Sequence, residues 1–183
     1  DIVQVVEEGI GNYVKIPVGE LDLLSGGYPC QAFSYAGKKM GLSDTRGTMF
    51  HYYAQALEQL LPKMFLAENV RGLVSHDDGR TLALMIKVFS DIGYTVKWNV
   101  LRALDYDVAQ KRERIAIVGI RNDLVEKYRL TYSFPKPYGY ELTLRDVLKD
   151  VPKSDGDKYP EYKKKVLDLV PPGGYWRDLP EDI

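Results

Sequence analysis

The sequence predicts an α/β fold in which a mainly parallel sheet with an antiparallel edge is covered by helices on both faces. Two observations carry this expectation. Short apolar runs of strand length alternate, as far as Ile120, with longer stretches whose apolar residues recur every three or four positions. The last two strand signals then follow one another with no helical stretch between them, which suits an antiparallel pair at the edge of the sheet.

Taken in order, Leu21 to Ser25 reads as a short buried strand closed by Gly26-Gly27, a pair that breaks regular structure. Arg46 to Leu61 places Phe50, Tyr53, Ala54, Leu57, Leu60 and Leu61 on one helical face, with Ser43 or Asp44 near its start and Pro62 closing it. Met64 to Ala67 is a strand-like apolar run that ends at Glu68-Asn69. A second helix is expected from Arg80 to Ile92, with Leu82, Met85, Ile86, Phe89 and Ile92 on one face and Gly93 as its cap. Tyr94 to Leu101 alternates, as a half-buried strand does, whereas Arg114 to Ile120 is apolar almost throughout and is read as buried on both faces. Beyond Arg121 the pattern is broken by Pro135, Pro137, Pro152, Pro160, Pro171, Pro172 and Pro180, with a short helix expected over Thr143 to Lys149. Residues 1–130 are accordingly read as part of a catalytic domain and 131–183 as a connector.

At 183 residues and 45% hydrophobic content the chain suits one core of ordinary size. It carries no run of membrane-spanning length and opens on nothing resembling a signal peptide, so a cytoplasmic location is expected and no membrane partner. A single cysteine, Cys30, excludes an internal disulfide framework and agrees with a reducing compartment. His51 and His76 are too few and too isolated to suggest a metal site. The formal net charge is −1, so any contact with nucleic acid must be local. The bases that could make one cluster at Lys38-Lys39, Arg46 and Lys111-Arg112 with Arg114, while the first 25 residues are predominantly acidic.

Three polar groups fall at ends or edges of the expected strands: Cys30, Glu68 with Asn69, and the run Gln110-Lys111-Arg112-Glu113-Arg114. That is the edge at which open α/β sheets bind ligands. Pro29 stiffens the turn that presents the thiol. Each group also has an ordinary explanation. A lone cysteine is usually a small buried hydrophobe, a glutamate usually an exposed loop acid, an asparagine a turn former, and a basic cluster a solvated turn.

Together the three match a pattern. Pro29-Cys30-Gln31, then Glu68-Asn69-Val70, then Gln110-Lys111-Arg112-Glu113-Arg114 resembles the ordered signature of the cytosine-C5 DNA methyltransferases, with Gly26-Gly27-Tyr28, Phe33-Ser34 and Gly37 also in place. The resemblance runs from Asp1 to about Leu124, and more weakly through Val170 to Gly174 and on to the end. It implies the second half of a Rossmann-like S-adenosylmethionine-dependent methyltransferase domain of the bacterial restriction-modification kind. It assigns Cys30 as the nucleophile, Glu68 as the acid at the cytosine ring, Arg114 as the cation at the ring oxygen O2, and Arg112 as a residue that positions Glu68. It also implies substrate contacts at Pro29, Gln31, Ser34, Asn69 and Gln110, and cofactor contacts at Asp1, Ile2 and Pro29. The implied partner is double-stranded DNA, from which the target base must be flipped out. The loop from Gln31 to Gly47, with its glycines and with Lys38 and Lys39, suits a lid that closes over DNA.

The 183 residues depart from a complete member of that family. The glycine-rich segment that cradles the methionine end of the cofactor is not among them, nor is a target-recognition region after Gly173-Gly174-Tyr175-Trp176, so the expected partners include N-terminal and C-terminal portions of the same protein, and the chain alone is expected to be inactive. Two alternatives stay open at this point: a non-catalytic DNA-binding or scaffold relative of the same fold, and a transfer-RNA cytosine-C5 methyltransferase, whose Cys-Phe-Thr segment is not found here.

Overall fold

The computed structural model describes residues 1–29, 45, 48–152, 156, 158–171 and 173–180. They fall into two units, Asp1–Val147 and Leu148–Ile183. In the first, β1 (Leu23–Gly27), β2 (Met64–Val70), β3 (Tyr94–Arg102) and β4 (Glu113–Arg121) form one sheet in the order β1-β2-β4-β3. β1 and β2 pair in parallel, and β4 runs against both of its neighbours. Three strands therefore point one way and β4 the other. The helix α3 (Arg80–Ile92) makes the crossover that β2 and β3 need to run in the same direction, and β4 folds back from β3 into the gap between them. This placement explains the two texture types read in the sequence. β4 lies inside the sheet, with Ile115, Ile117, Val118 and Ile120 all buried, whereas β3 is an edge on which even Trp98 is exposed.

The helices α2 (Met49–Leu60) and α3 cover one face. Phe50, Ala54 and Leu57 of α2 and Leu82, Leu84, Met85, Val88 and Phe89 of α3 share a core with Phe65, Ala67, Tyr94, Ile115 and Ile117 of the sheet. Its centre is aromatic: the Phe65 ring lies 4.6 Å from that of Phe89 and 5.1 Å from that of Tyr94. On the other face α4 (Asn122–Tyr128) and the segment after it approach β3 and β4. Lys97 donates there to Thr131 Oγ1 at 3.1 Å and to the Tyr132 carbonyl at 2.8 Å. A smaller cluster joins Val6 of α1 (Ile2–Glu7) and Ile10 to Ala56 and Leu60 on the outer side of α2.

The element bounds differ from expectation where side chains, rather than periodicity, decide. β1 includes Gly26 and Gly27 instead of stopping before them, and β2 continues through Glu68 and Asn69 to Val70. The α2 helix starts at Met49, with Thr48 as its N-cap accepting from the His51 amide, while Ser43 and Asp44 lie outside the described residues. α3 spans Arg80–Ile92 as expected and ends on Gly93 at φ 113°. The expected helix near residue 145 is the single turn α5 (Leu144–Val147), and three short helices were not expected at all, α1, α4 and, in the second unit, α6 (Glu161–Leu167). Among the described residues no helix is long and apolar enough to cross a membrane.

Gly119 shows how tightly the aromatic centre meets the sheet. A Cβ on this residue would lie 2.0 Å from Cε1 of Phe65, a ring that is fully buried. The ring is held between neighbours and has nowhere to go. Gly119→Ala is therefore expected to lower the unfolding free energy by about 1–3 kcal/mol, the usual cost of overpacking, as read from a urea unfolding curve. A change indistinguishable from zero would mean the core is looser than its packing indicates.

Candidate active site

The C-terminal ends of β1 and β2 lie side by side because the two strands are parallel, and the start of β4 joins them because it is antiparallel to β2. The register sets Gly27 beside Glu68 and Glu68 beside Ala116, with Val70 opposite Arg114. Alternation then puts Gly27, Glu68 and Arg114 on the same face of the sheet. Arg114 Nε meets Glu68 Oε1 at 2.8 Å, and Arg112 reaches the same oxygen only at 4.0 Å. Arg114 also donates through Nη1 to the Glu113 carbonyl at 2.8 Å. The closer guanidinium is thus that of Arg114, where the sequence pattern assigns the positioning of Glu68 to Arg112. Arg112 is half exposed and the less committed of the two.

These groups line an open cleft of about 540 Å³ together with Tyr28, Pro29, Asn69 and Val70. Asn69 faces the opposite way from Glu68 and is 3% exposed. Its side chain is used twice on backbone: Nδ2 donates to the Tyr28 carbonyl at 2.8 Å, and Oδ1 accepts from the Val70 amide at 2.8 Å. It ties the turn after β1 to the end of β2. Gln110 is exposed in the loop before β4, its amide on the Val108 carbonyl and its carbonyl on the Arg112 amide, and it does not line the cleft. Cys30, Gln31 and Ser34 lie outside the described residues, as does most of the expected lid.

A second cleft of about 240 Å³ opens on the other side of the same turn. Its lining includes Ile2, Leu24, Pro29, Met49 and Tyr53 and is almost wholly apolar. Two of the three residues expected to contact a cofactor, Ile2 and Pro29, meet there. The third, Asp1, caps α1, with Oδ1 accepting from the Val3 amide at 3.0 Å and Oδ2 uninvolved in that bond. An apolar slot of this size suits a flat ring, and Asp1 is not among the residues that line it. Gly27, Tyr28 and Pro29 belong to both clefts.

Sequence reasoning missed what Tyr28 and Gly27 do. The Tyr28 ring is buried among Phe50, Tyr53 and Met85, its hydroxyl 3.6 Å from the methionine sulfur, so the turn is anchored in the core immediately before Pro29. Gly27 is the seat of the carboxylate: a Cβ there would lie 2.9 Å from Glu68 Oε2. The signal was the glycine pair itself, which marks a close approach as readily as a break. The clash differs from that at Gly119 because a carboxylate at the end of a flexible side chain can yield. Gly27→Ala is expected to leave the unfolding midpoint nearly unchanged while displacing the Glu68 carboxylate from Arg114, which a crystal structure of the variant would show. An unmoved carboxylate would contradict this account of the site.

Among the described residues no group of three His, Cys, Asp or Glu side chains stands ready for a metal ion. The sequence profile described as C-5 cytosine-specific DNA methylase matches residues 1–169. The chain is 60% identical over 164 residues to the type II methyltransferase M.Sau96I of Staphylococcus aureus, covering 90% of this chain and 38% of that protein. It is 54% identical over 171 residues to the type II methyltransferase M.Eco47II of Escherichia coli, covering 89% and 40%. The chain thus spans about two fifths of the length of these curated relatives. Among solved structures, a prophage-encoded protein of Escherichia coli assigned as a DNA modification methyltransferase superposes with a TM-score of 0.59 at 22% identity, over 100% of this chain and 52% of that one, a likeness of fold alone. A chain whose profile match extends over nearly its whole length, with Glu68 and Arg114 paired at the ends of adjacent strands, belongs to the C-5 cytosine-specific DNA methylase family.

Proposed function

We propose that this chain carries the catalytic residues of a DNA cytosine-C5 methyltransferase of the restriction-modification kind, acting on a cytosine flipped out of duplex DNA. The observation that carries the reading is the Glu68–Arg114 pair at 2.8 Å, set in a cleft that ends on Pro29, one residue before Cys30.

C5 of cytosine is too weak a nucleophile to take a methyl group unless electron density is pushed onto it. Cys30 does this as a thiolate that forms a bond to C6; cysteine is strongly nucleophilic and more readily ionised beside cations. The negative charge that develops on the ring falls on N3 and O2, which are neighbours. Glu68 shares a proton with N3 as that charge develops, and Arg114, whose Nε already holds Glu68, directs a terminal nitrogen to O2. One guanidinium can serve both because its donors form a rigid fork. Arg112 adds a second positive charge at the same carboxylate. After methylation the C5 proton passes to solvent, its bonding pair reforms the C5–C6 double bond, and Cys30 leaves C6 as a thiolate, which restores the aromatic ring. Pro29 lines the wall of the cleft on which the base rests.

Asp1, Ile2 and Pro29 are the residues of this chain that would hold S-adenosylmethionine. That cofactor supplies a methyl group made electrophilic by a sulfonium sulfur. Portions of the protein beyond these 183 residues complete the cofactor cradle and read the DNA sequence, so the chain alone does not turn over. The protein works in the cytoplasm, where DNA and cofactor are both at hand.

Three measurements test this. The full-length protein should form a covalent adduct with duplex DNA containing 5-fluorocytosine, lost in Cys30→Ala, and Glu68→Gln should lower methylation by about 10²–10³, the range for removing one transition-state hydrogen-bonding group. The 183-residue chain, given tritiated S-adenosylmethionine and duplex DNA, should transfer no label. A full-length protein that neither traps nor methylates DNA would support a non-catalytic relative, and label entering transfer RNA in preference to DNA would move the substrate.

A further inference from the structure

The ends of β2 and β4 are held by more than the ladder. Glu113 stands between Arg112 and Arg114 in sequence, yet alternation turns its side chain to the opposite face of the sheet, away from Glu68. There Arg71, the first residue after β2, meets Glu113 Oε2 through Nη1 at 2.8 Å. The other cation in register with Glu113 is Arg102, and it is engaged with Asp105 at 3.1 Å and with Glu141. The contacts close into a ring. Glu68 holds Arg114, Arg114 holds the Glu113 carbonyl, the Glu113 carboxylate holds Arg71, and Arg71 returns along the chain, three residues on, to Glu68.

We propose that Arg71 and Glu113 are positioning residues for the methyl-transfer site, acting from the back of the sheet through Arg114 and Glu68. The proposal rests on the function given above. As an ion pair at the surface, with Arg71 66% exposed, it adds little to stability. What it does is geometric. It holds the Glu113 side chain on the face to which alternation turns it, and it fixes the carbonyl on which the Arg114 guanidinium turns. Small displacements of such groups cost rate far out of proportion to their cost in stability.

The test uses the full-length protein and steady-state methylation of duplex DNA. Arg71→Ala and Glu113→Gln should each lower kcat by roughly tenfold, a modest share of the ~10²-fold that a 1 Å misplacement can cost, with KM for DNA and for S-adenosylmethionine unchanged within about twofold. Their unfolding midpoints should stay at that of the parent protein. The charge-reversed double variant Arg71→Glu with Glu113→Arg should recover most of the lost kcat. An unchanged kcat in both single variants would overturn the proposal. So would a rise in KM for DNA confined to Arg71→Ala and accompanied by a shallower dependence on salt than the parent shows, the mark of a lost phosphate contact. A parent protein that does not methylate DNA would instead sink the functional reading, so the two failures are distinguishable.

Discussion

Everything at the site depends on the parallel pairing of β1 with β2, which sets Gly27 against Glu68 and seats the carboxylate 2.9 Å from where a Cβ would stand. From that one contact the rest follows by alternation. Glu68 faces the cleft, Asn69 faces the core, and the asparagine amide reaches back to the Tyr28 carbonyl to hold the next turn. A slip of one residue in this register would exchange the two side chains, burying the carboxylate and exposing the clamp. The chemistry and the structural tie are therefore locked to each other by adjacency in one strand.

The same arrangement explains how a chain with a formal net charge of −1 can present a surface suited to a polyanion. Around the cleft one carboxylate faces two guanidiniums, so a positive charge is left over where the strand ends converge. Glu113, the acid that would have cancelled it, is turned to the other face and neutralised by Arg71. Charge is sorted by face, and the period of two in a strand is what allows neighbours in sequence to be sorted so completely.

Much of this was legible in the residues. The helix α3 could be read from its apolar stripe and its closing glycine, and the contrast between β3 and β4 from alternation in one and its absence in the other. The order of strands was not, because sequence texture says which strand is inside without saying that β4 inserts between β2 and β3. Glu68, Arg112 and Arg114 could be named from their ordered spacing, yet not which arginine lies closer, since that depends on the direction each side chain takes at the start of β4. Gly26-Gly27 was read as the end of a strand because glycine disfavours strands on average. Its place inside β1 is a matter of close approach, to Tyr53 on one face and to Glu68 on the other, which no local propensity reports. The short helices α1, α4 and α6 span too few turns for periodicity to register.

The turn from Gly27 to Pro29 borders both an apolar cleft and a charged one, and the two need it for different reasons. A cofactor seated on one side and a base on the other would be separated by the width of this turn alone, so its position sets how closely the two can meet. Four independent restraints act on it: the β1 ladder, the buried Tyr28 ring, the Asn69 amide on the Tyr28 carbonyl, and the fixed φ of Pro29. Backbone so constrained costs nothing further to organise when substrate arrives, and that is the condition under which binding energy can be directed to the reacting atoms.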